Sequence, residues 1–97
     1  MKIWNDADFV FYGSEAESQI VISSLMCKDR CLANEACLVF NHYHSETVGQ
    51  MCQMFSEIKI YPVTDSTDFT NVVGAKCGHE SGVETIHDEL YPNNQGN

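Results

Sequence analysis

Five cysteines stand in this chain, Cys27, Cys31, Cys37, Cys52 and Cys77. A cysteine can be a nucleophile, a metal ligand or half of a disulfide, and spacing helps separate these roles. No Cys-x2-Cys pair occurs, and the group Cys27, Cys31, Cys37 lacks zinc-finger spacing. Cys77 has His79 two residues away, but a catalytic pair needs hydrogen-bond reach inside a cleft, and near neighbours on a strand point sideways or apart. Cys77 therefore reads as an unpaired or intermolecular structural cysteine. His42 and His44 share one side of a strand, with Glu46 nearby, yet two imidazoles fall short of the three or four ligands that metals usually need. They read as a core-edge histidine followed by a loop histidine; His79 and His87 lie in a polar stretch. The carboxylate pairs Asp6/Asp8 and Glu15/Glu17 invite a glycosidase reading but flank an extended segment, as a solvated face would. Asp65-Ser-Thr-Asp68 offers oxygens to calcium but lacks the glycine and the closing glutamate of an EF-hand loop, and reads as a plain turn. No phosphate-cradling glycine loop, Ser-His-Asp arrangement or HExxH motif is present. No catalytic residue, metal ligand or cofactor is assigned.

The chemistry left is recognition. Trp4, Tyr12, Tyr43, Tyr61 and Tyr91 can act as stacking platforms for sugars or as protein hot spots. Tyr43 and Tyr61 sit among polar neighbours. Asn41, His42 and Gln50 fall near the same loop as Tyr43. The hairpin of residues 41–51, with Asn41, His42, Tyr43 and Gln50, together with Tyr61, forms the candidate ligand-binding set.

Positioning these groups falls to one small domain. The chain has 97 residues, 43% hydrophobic and 20% charged, ordinary for a folded globular protein and too short for a Rossmann-type domain or a large enzyme core. Residues 3–12 read as an extended lead-in and an aromatic strand that Gly13 ends; Ile20-Val21-Ile22 reads as a short extended piece. Ser23-Ser24 signals a helix start, and Leu25 to about Glu35 reads as a helix, with Asn34 suited to a left-handed C-terminal position. Cys27 and Cys31, four apart, share one helix face. Cys37–Tyr43 is a strand candidate, with Leu38, Phe40 and His42 on one face and Cys37, Val39, Asn41 and Tyr43 on the other. Residues 44–50 read as a hairpin loop and Met51–Ser56 as the second strand. Pro62 pushes residues 57–63 to an edge, and Phe69–Cys77 reads as a closing strand. From Gly78 the chain is polar and acidic; residues 78–97 read as a tail, disordered at least at its end.

One helix presenting two sulfurs to a following sheet makes two bridges geometrically sensible, Cys31 to Cys37 and Cys27 to Cys52, though spacing leaves other pairings open. In the loop-entropy picture these are worth roughly 2–2.5 and 3–3.5 kcal/mol, against a domain stability of about 5–15 kcal/mol.

The stretch Cys27-Lys-Asp-Arg-Cys31-Leu-Ala-Asn-Glu-Ala-Cys37-Leu-Val-Phe40-Asn-His-Tyr43, followed by Cys52-Gln-Met-Phe55, resembles the PAN/apple domain family. The resemblance covers roughly residues 4–77, and the lead-in Phe9 to Gly13 suits the family's first strand. It implies an α+β domain over residues 1–77, a curved antiparallel β-sheet cradling one α-helix and stapled by Cys27–Cys52 and Cys31–Cys37. Apple domains add a bridge between the chain ends. Cys77 matches its C-terminal member, but no cysteine stands near residue 1 to match the other. The resemblance further implies a non-catalytic adhesion module that binds proteins or carbohydrates.

Cysteine usage points to an oxidising compartment and hence to a secreted protein. No export signal or membrane span is visible, and the cysteines favour taking Met1 as the start of a mature piece. No Asn-x-Ser/Thr acceptor occurs. A net charge of −9 disfavours nucleic acid and anionic membranes as partners, while leaving cationic partners or calcium open. Two further classes stay open: a lectin on the same scaffold, and an assembly protein cross-linked or dimerised through Cys77.

Overall fold

The computed structural model describes residues 1–5, 7–62 and 71–90. Its elements run β1 (Lys2–Trp4), β2 (Phe9–Phe11), β3 (Glu15–Val21), α1 (Ser24–Ala33), β4 (Val39–Ser45), β5 (Gly49–Phe55), β6 (Ile60–Pro62), β7 (Asn71–Ala75) and α2 (Glu80–Leu90). Five strands make an antiparallel sheet in the order β1-β7-β4-β5-β3, and β2 pairs antiparallel with β6 in a separate ribbon. The fold is α+β with antiparallel sheets.

β4 lies at the sheet's centre, and its alternation buries both faces. Phe40 joins Val21, Cys27, Cys31, Cys37, Cys52 and Met54 in the cluster under α1. Val39 joins Phe9, Phe11, Phe55, Ile60, Val73, Ala75 and Val83 in a second cluster under the ribbon and α2. The strand begins at Val39 rather than Cys37, and this changes one expectation. Leu38 packs with the ribbon cluster and not beside Phe40, while Cys37 turns to the α1 side, where its sulfur meets Cys31. Gly74 crosses the Phe40 ring: a β-carbon there would lie 2.7 Å from Phe40 Cζ and 2.8 Å from Ile3 Cδ1, so this close approach needs a residue without a side chain.

α1 starts where Ser23 Oγ accepts from the Met26 N–H at 3.2 Å. Its only buried residues are Cys27 and Cys31, and Leu25 and Leu32 are exposed. Sulfur, more than an apolar stripe, fastens this helix to the sheet. Asn34 does not take the left-handed conformation expected of it. It is extended, with φ −105° and ψ 111°. Its backbone N–H caps the helix by donating to the Cys31 carbonyl at 3.1 Å, while its side chain accepts from the Ala36 N–H at 2.9 Å and donates to Glu17 Oε1 at 3.1 Å.

Strands β4 and β5 run closer together than the expected 44–50 loop allows. β4 continues to Ser45, the turn occupies residues 46–48, and Gly49, at φ +103°, re-enters the ladder opposite Ser45. Pro62 lies in the ribbon and outside the main sheet, since its missing N–H suits a strand with an open edge.

The largest difference lies after Gly78. The stretch read as a tail contains α2, whose Val83 is fully buried in the ribbon cluster and whose Ile86 packs against it. The single helix that the resemblance implied is joined by a second one, because Val83 and Ile86, two apolar residues among many charges, fall on one face and dock there. Glu80 accepts from the Gly78 N–H at 2.7 Å. Hydrogen bonds from its own backbone N–H and from Gly78 hold its carboxyl below the usual carboxylate range. Stability from this cap is therefore present above the ordinary glutamate range and is lost as pH falls through the lowered value. Residues 91–97 of the expected tail lie outside the described residues.

Candidate functional site

Two bridges join Cys27 to Cys52 and Cys31 to Cys37, with Cα separations of 5.4 and 5.3 Å. They tie the middle of α1 to β5 and the end of α1 to the chain entering β4. Cys77 is free and exposed. The β1–β7 pairing, Lys2 opposite Ala75, brings the chain start alongside it, and the Met1 amino group lies 3.2 Å from Cys77 Sγ. Iodoacetamide should therefore label one thiol per folded chain and five after reduction in denaturant, as read by intact mass. A second label on the folded protein would contradict the two bridges.

The expected ligand-binding residues divide among separate places. Asn41 is 2% exposed and serves the fold: its Oδ1 accepts from the Phe11 N–H at 2.9 Å and its Nδ2 donates to the Phe11 carbonyl at 2.8 Å. A side chain whose polar atoms clamp the ribbon is not available to a ligand, which removes Asn41 from the set. His42 and Gln50 do meet, with Nε2 and Oε1 2.8 Å apart, and Gln50 Nε2 donates to the Ile22 carbonyl at 3.0 Å. Both belong to the α1 face by strand register. His42 Nδ1 is buried without a hydrogen-bond partner among the described residues. Tyr43 is half-buried on the opposite face, where the register sets it beside Met51 and Asn71. Tyr61 is on the ribbon, away from the hairpin, and 63% exposed.

What the structure sets beside Tyr61 is Tyr12, itself 48% exposed. The two rings meet edge to face with centroids 6.4 Å apart, and Lys59 Nζ stands 6.0 Å from the Tyr12 ring. Tyr12 is in the sequence as a stacking candidate, but nothing in the spacing pairs it with a residue 49 positions later; the β2–β6 register does.

A concavity of about 450 Å³ opens between the ribbon and α2. Trp4, Ala7, Phe9 and Val83 line its apolar part, and Asp8, Glu84 and Asp88 stand at it with His87 and Asn5. Trp4 meets Phe9 edge to face at 5.8 Å, and Phe9 meets the His87 ring at 5.2 Å. His87 Nε2 lies 3.1 Å from Asp8 Oδ1. Reading residues 78–97 as a tail hid this site. The legible signal was Val83, Ile86 and Leu90 at three- and four-residue spacing.

The remaining chemical candidates do not assemble. Glu17 turns to Asn34, while Glu15 accepts from Gln53 Nε2 at 2.7 Å on the other face, across the irregularity between them. Asp6 and Asp65–Asp68 lie outside the described residues. Among the described residues no group of three or more His, Cys, Asp or Glu side chains could hold a metal ion.

The family model described as the PAN domain matches residues 7–77. The chain belongs to the PAN domain family. No curated protein and no solved structure matches it significantly. PAN domains are in general non-catalytic modules of extracellular proteins that bind proteins or carbohydrates, and the two bridges of this PAN domain fit such a setting. No helix among its described residues is long and apolar enough to cross a membrane. The matched span covers β2 through β7, both disulfides and the Tyr12–Tyr61 pair, and it ends before α2.

Proposed function

We propose that this PAN domain is a secreted adhesion module that recognises a protein or glycan without chemistry of its own, and that its contact surface is centred on Tyr12 and Tyr61. The observation that supports this reading is the pair of adjacent, half-exposed or more exposed rings on a ribbon whose inner side is anchored in the core. Rigid rings with a polar tip give a partner large contact area at small entropic cost. They equally offer a face to the C–H groups of a sugar. The His42–Gln50 pair on the α1 face and Tyr43 on the opposite face are secondary contacts.

The test is binding to protein and glycan arrays with Tyr12→Ala and Tyr61→Ala. Hits of the parent protein should weaken by roughly 30-fold or more, the scale of a hot-spot ring, with thermal stability unchanged. Hits that both variants retain in full would move the contact surface elsewhere. The exposed Cys77 favours a second reading, a covalently paired assembly protein. A dimer band that collapses on reduction would support that reading, and a monomer under oxidising, non-reducing conditions would remove it.

A further inference from the structure

We infer that the concavity between the ribbon and α2 receives a basic side chain, lysine or arginine, presented by a partner protein. This adds a site to the reading above and does not depend on the Tyr12–Tyr61 surface. Lysine and arginine have an apolar stem and a charged head, and each part has its counterpart here. Trp4 and Ala7, backed by the buried Phe9 and Val83, supply an apolar and aromatic wall for the stem. Asp8, Glu84 and Asp88 supply carboxylates for the head, and the Trp4 indole offers a ring face on which a cation is attracted. The molecule already shows this chemistry on itself. Lys2 Nζ stands 5.3 Å from the Trp4 ring and forms an ion pair with Glu84, yet Lys2 does not line the cavity.

Charge complementarity selects the partner. The chain carries 14 acidic and five basic residues, and its net charge of −9 draws a basic surface toward it from a distance. An anionic ligand would meet three carboxylates at this concavity, against one ammonium, that of Lys2 paired with Glu84, and the His87 imidazole beside Asp8. The volume is that of a side-chain or small-ligand pocket and too small for a folded element.

Trp4 is the chain's single tryptophan, so its fluorescence reports on this site alone. The experiment titrates the full chain with an acetylated tri-arginine amide and follows Trp4 emission. The expected result is a saturable change that weakens in high salt and that needs about tenfold more peptide in the Asp8→Asn, Asp88→Asn double variant. Should that variant unfold, Asp88→Asn alone, exposed at the rim of the concavity, gives the same readout with a smaller shift. No saturable change, an equal response from triglycine amide, or an unchanged midpoint in the variants would overturn the inference. Spermidine binding as tightly as the peptide would overturn the protein source in favour of a free amine. Loss of the tri-arginine response with array binding intact would sink this site and leave the Tyr12–Tyr61 reading standing; the reverse pattern would do the opposite.

Discussion

Replacing Cys27 and Cys52 together by alanine is expected to lower the unfolding free energy by about 3–4 kcal/mol. The bridge closes a loop of 25 residues, and in the loop-entropy picture most of its worth is freedom withheld from the unfolded chain. A native-state loss adds to this. α1 buries only Cys27 and Cys31, so without the bridge its middle has little apolar area to hold it on β5. The Cys31→Ala, Cys37→Ala pair should cost less, about 2 kcal/mol, because its loop spans six residues. For a domain of this size each kcal/mol moves the thermal midpoint by about 4–8 °C, so the first variant should melt roughly 12–30 °C lower. Urea unfolding followed by circular dichroism measures both. A loss under about 1 kcal/mol for the first pair, or the reverse ranking of the two pairs, would show that α1 is held by something other than sulfur.

The second large effect is expected at Asn41. Asn41→Leu keeps the branched shape and heavy-atom count of the amide and removes both hydrogen bonds to Phe11. The Phe11 N–H and carbonyl are then left in the core, with water excluded by Phe9, Phe11 and Val39. An unpaired buried backbone group costs about 1–3 kcal/mol, so the variant should lose roughly 2–5 kcal/mol. The loss should be local in its first signs, because Asn41 belongs to β4 and Phe11 to the ribbon. Hydrogen exchange at the Phe11 amide should accelerate more than at the β4–β5 ladder. Asn71 does a similar service one strand away, donating to the Phe9 carbonyl at 2.8 Å, so the ribbon should loosen without detaching. Equal stability of Asn41→Leu and the parent would mean that packing alone holds the ribbon.

These two effects mark where sequence reasoning reaches and where it stops. The four-residue spacing of Cys27 and Cys31 after a serine cap carries the helix and its sulfur face without any tertiary information, because a cap and a helical turn are local geometry. The strands around Phe40 and Met54 are legible for the same reason, through a period of two. Asn41 illustrates the limit. By type it could be a ligand contact or a core clamp, and only the packing of a ribbon strand 30 residues upstream decides for the clamp. α2 illustrates it again: Val83, Ile86 and Leu90 make a thin stripe within an acidic stretch, and such a helix gains its stability from the cluster it covers.

Taken by itself, the sequence determined the fold class, the local helix and strand signals, the acidic balance that disfavours nucleic acid, and the PAN resemblance. These follow from spacing and composition, which are properties of neighbouring residues and of sums. The tertiary structure alone decided which surface could recognise anything. Tyr12 meets Tyr61, and Trp4 comes to line one concavity with Glu84 and His87, through strand pairing and helix docking across most of the chain. Such contacts depend on how separate elements pack, and no local pattern encodes them.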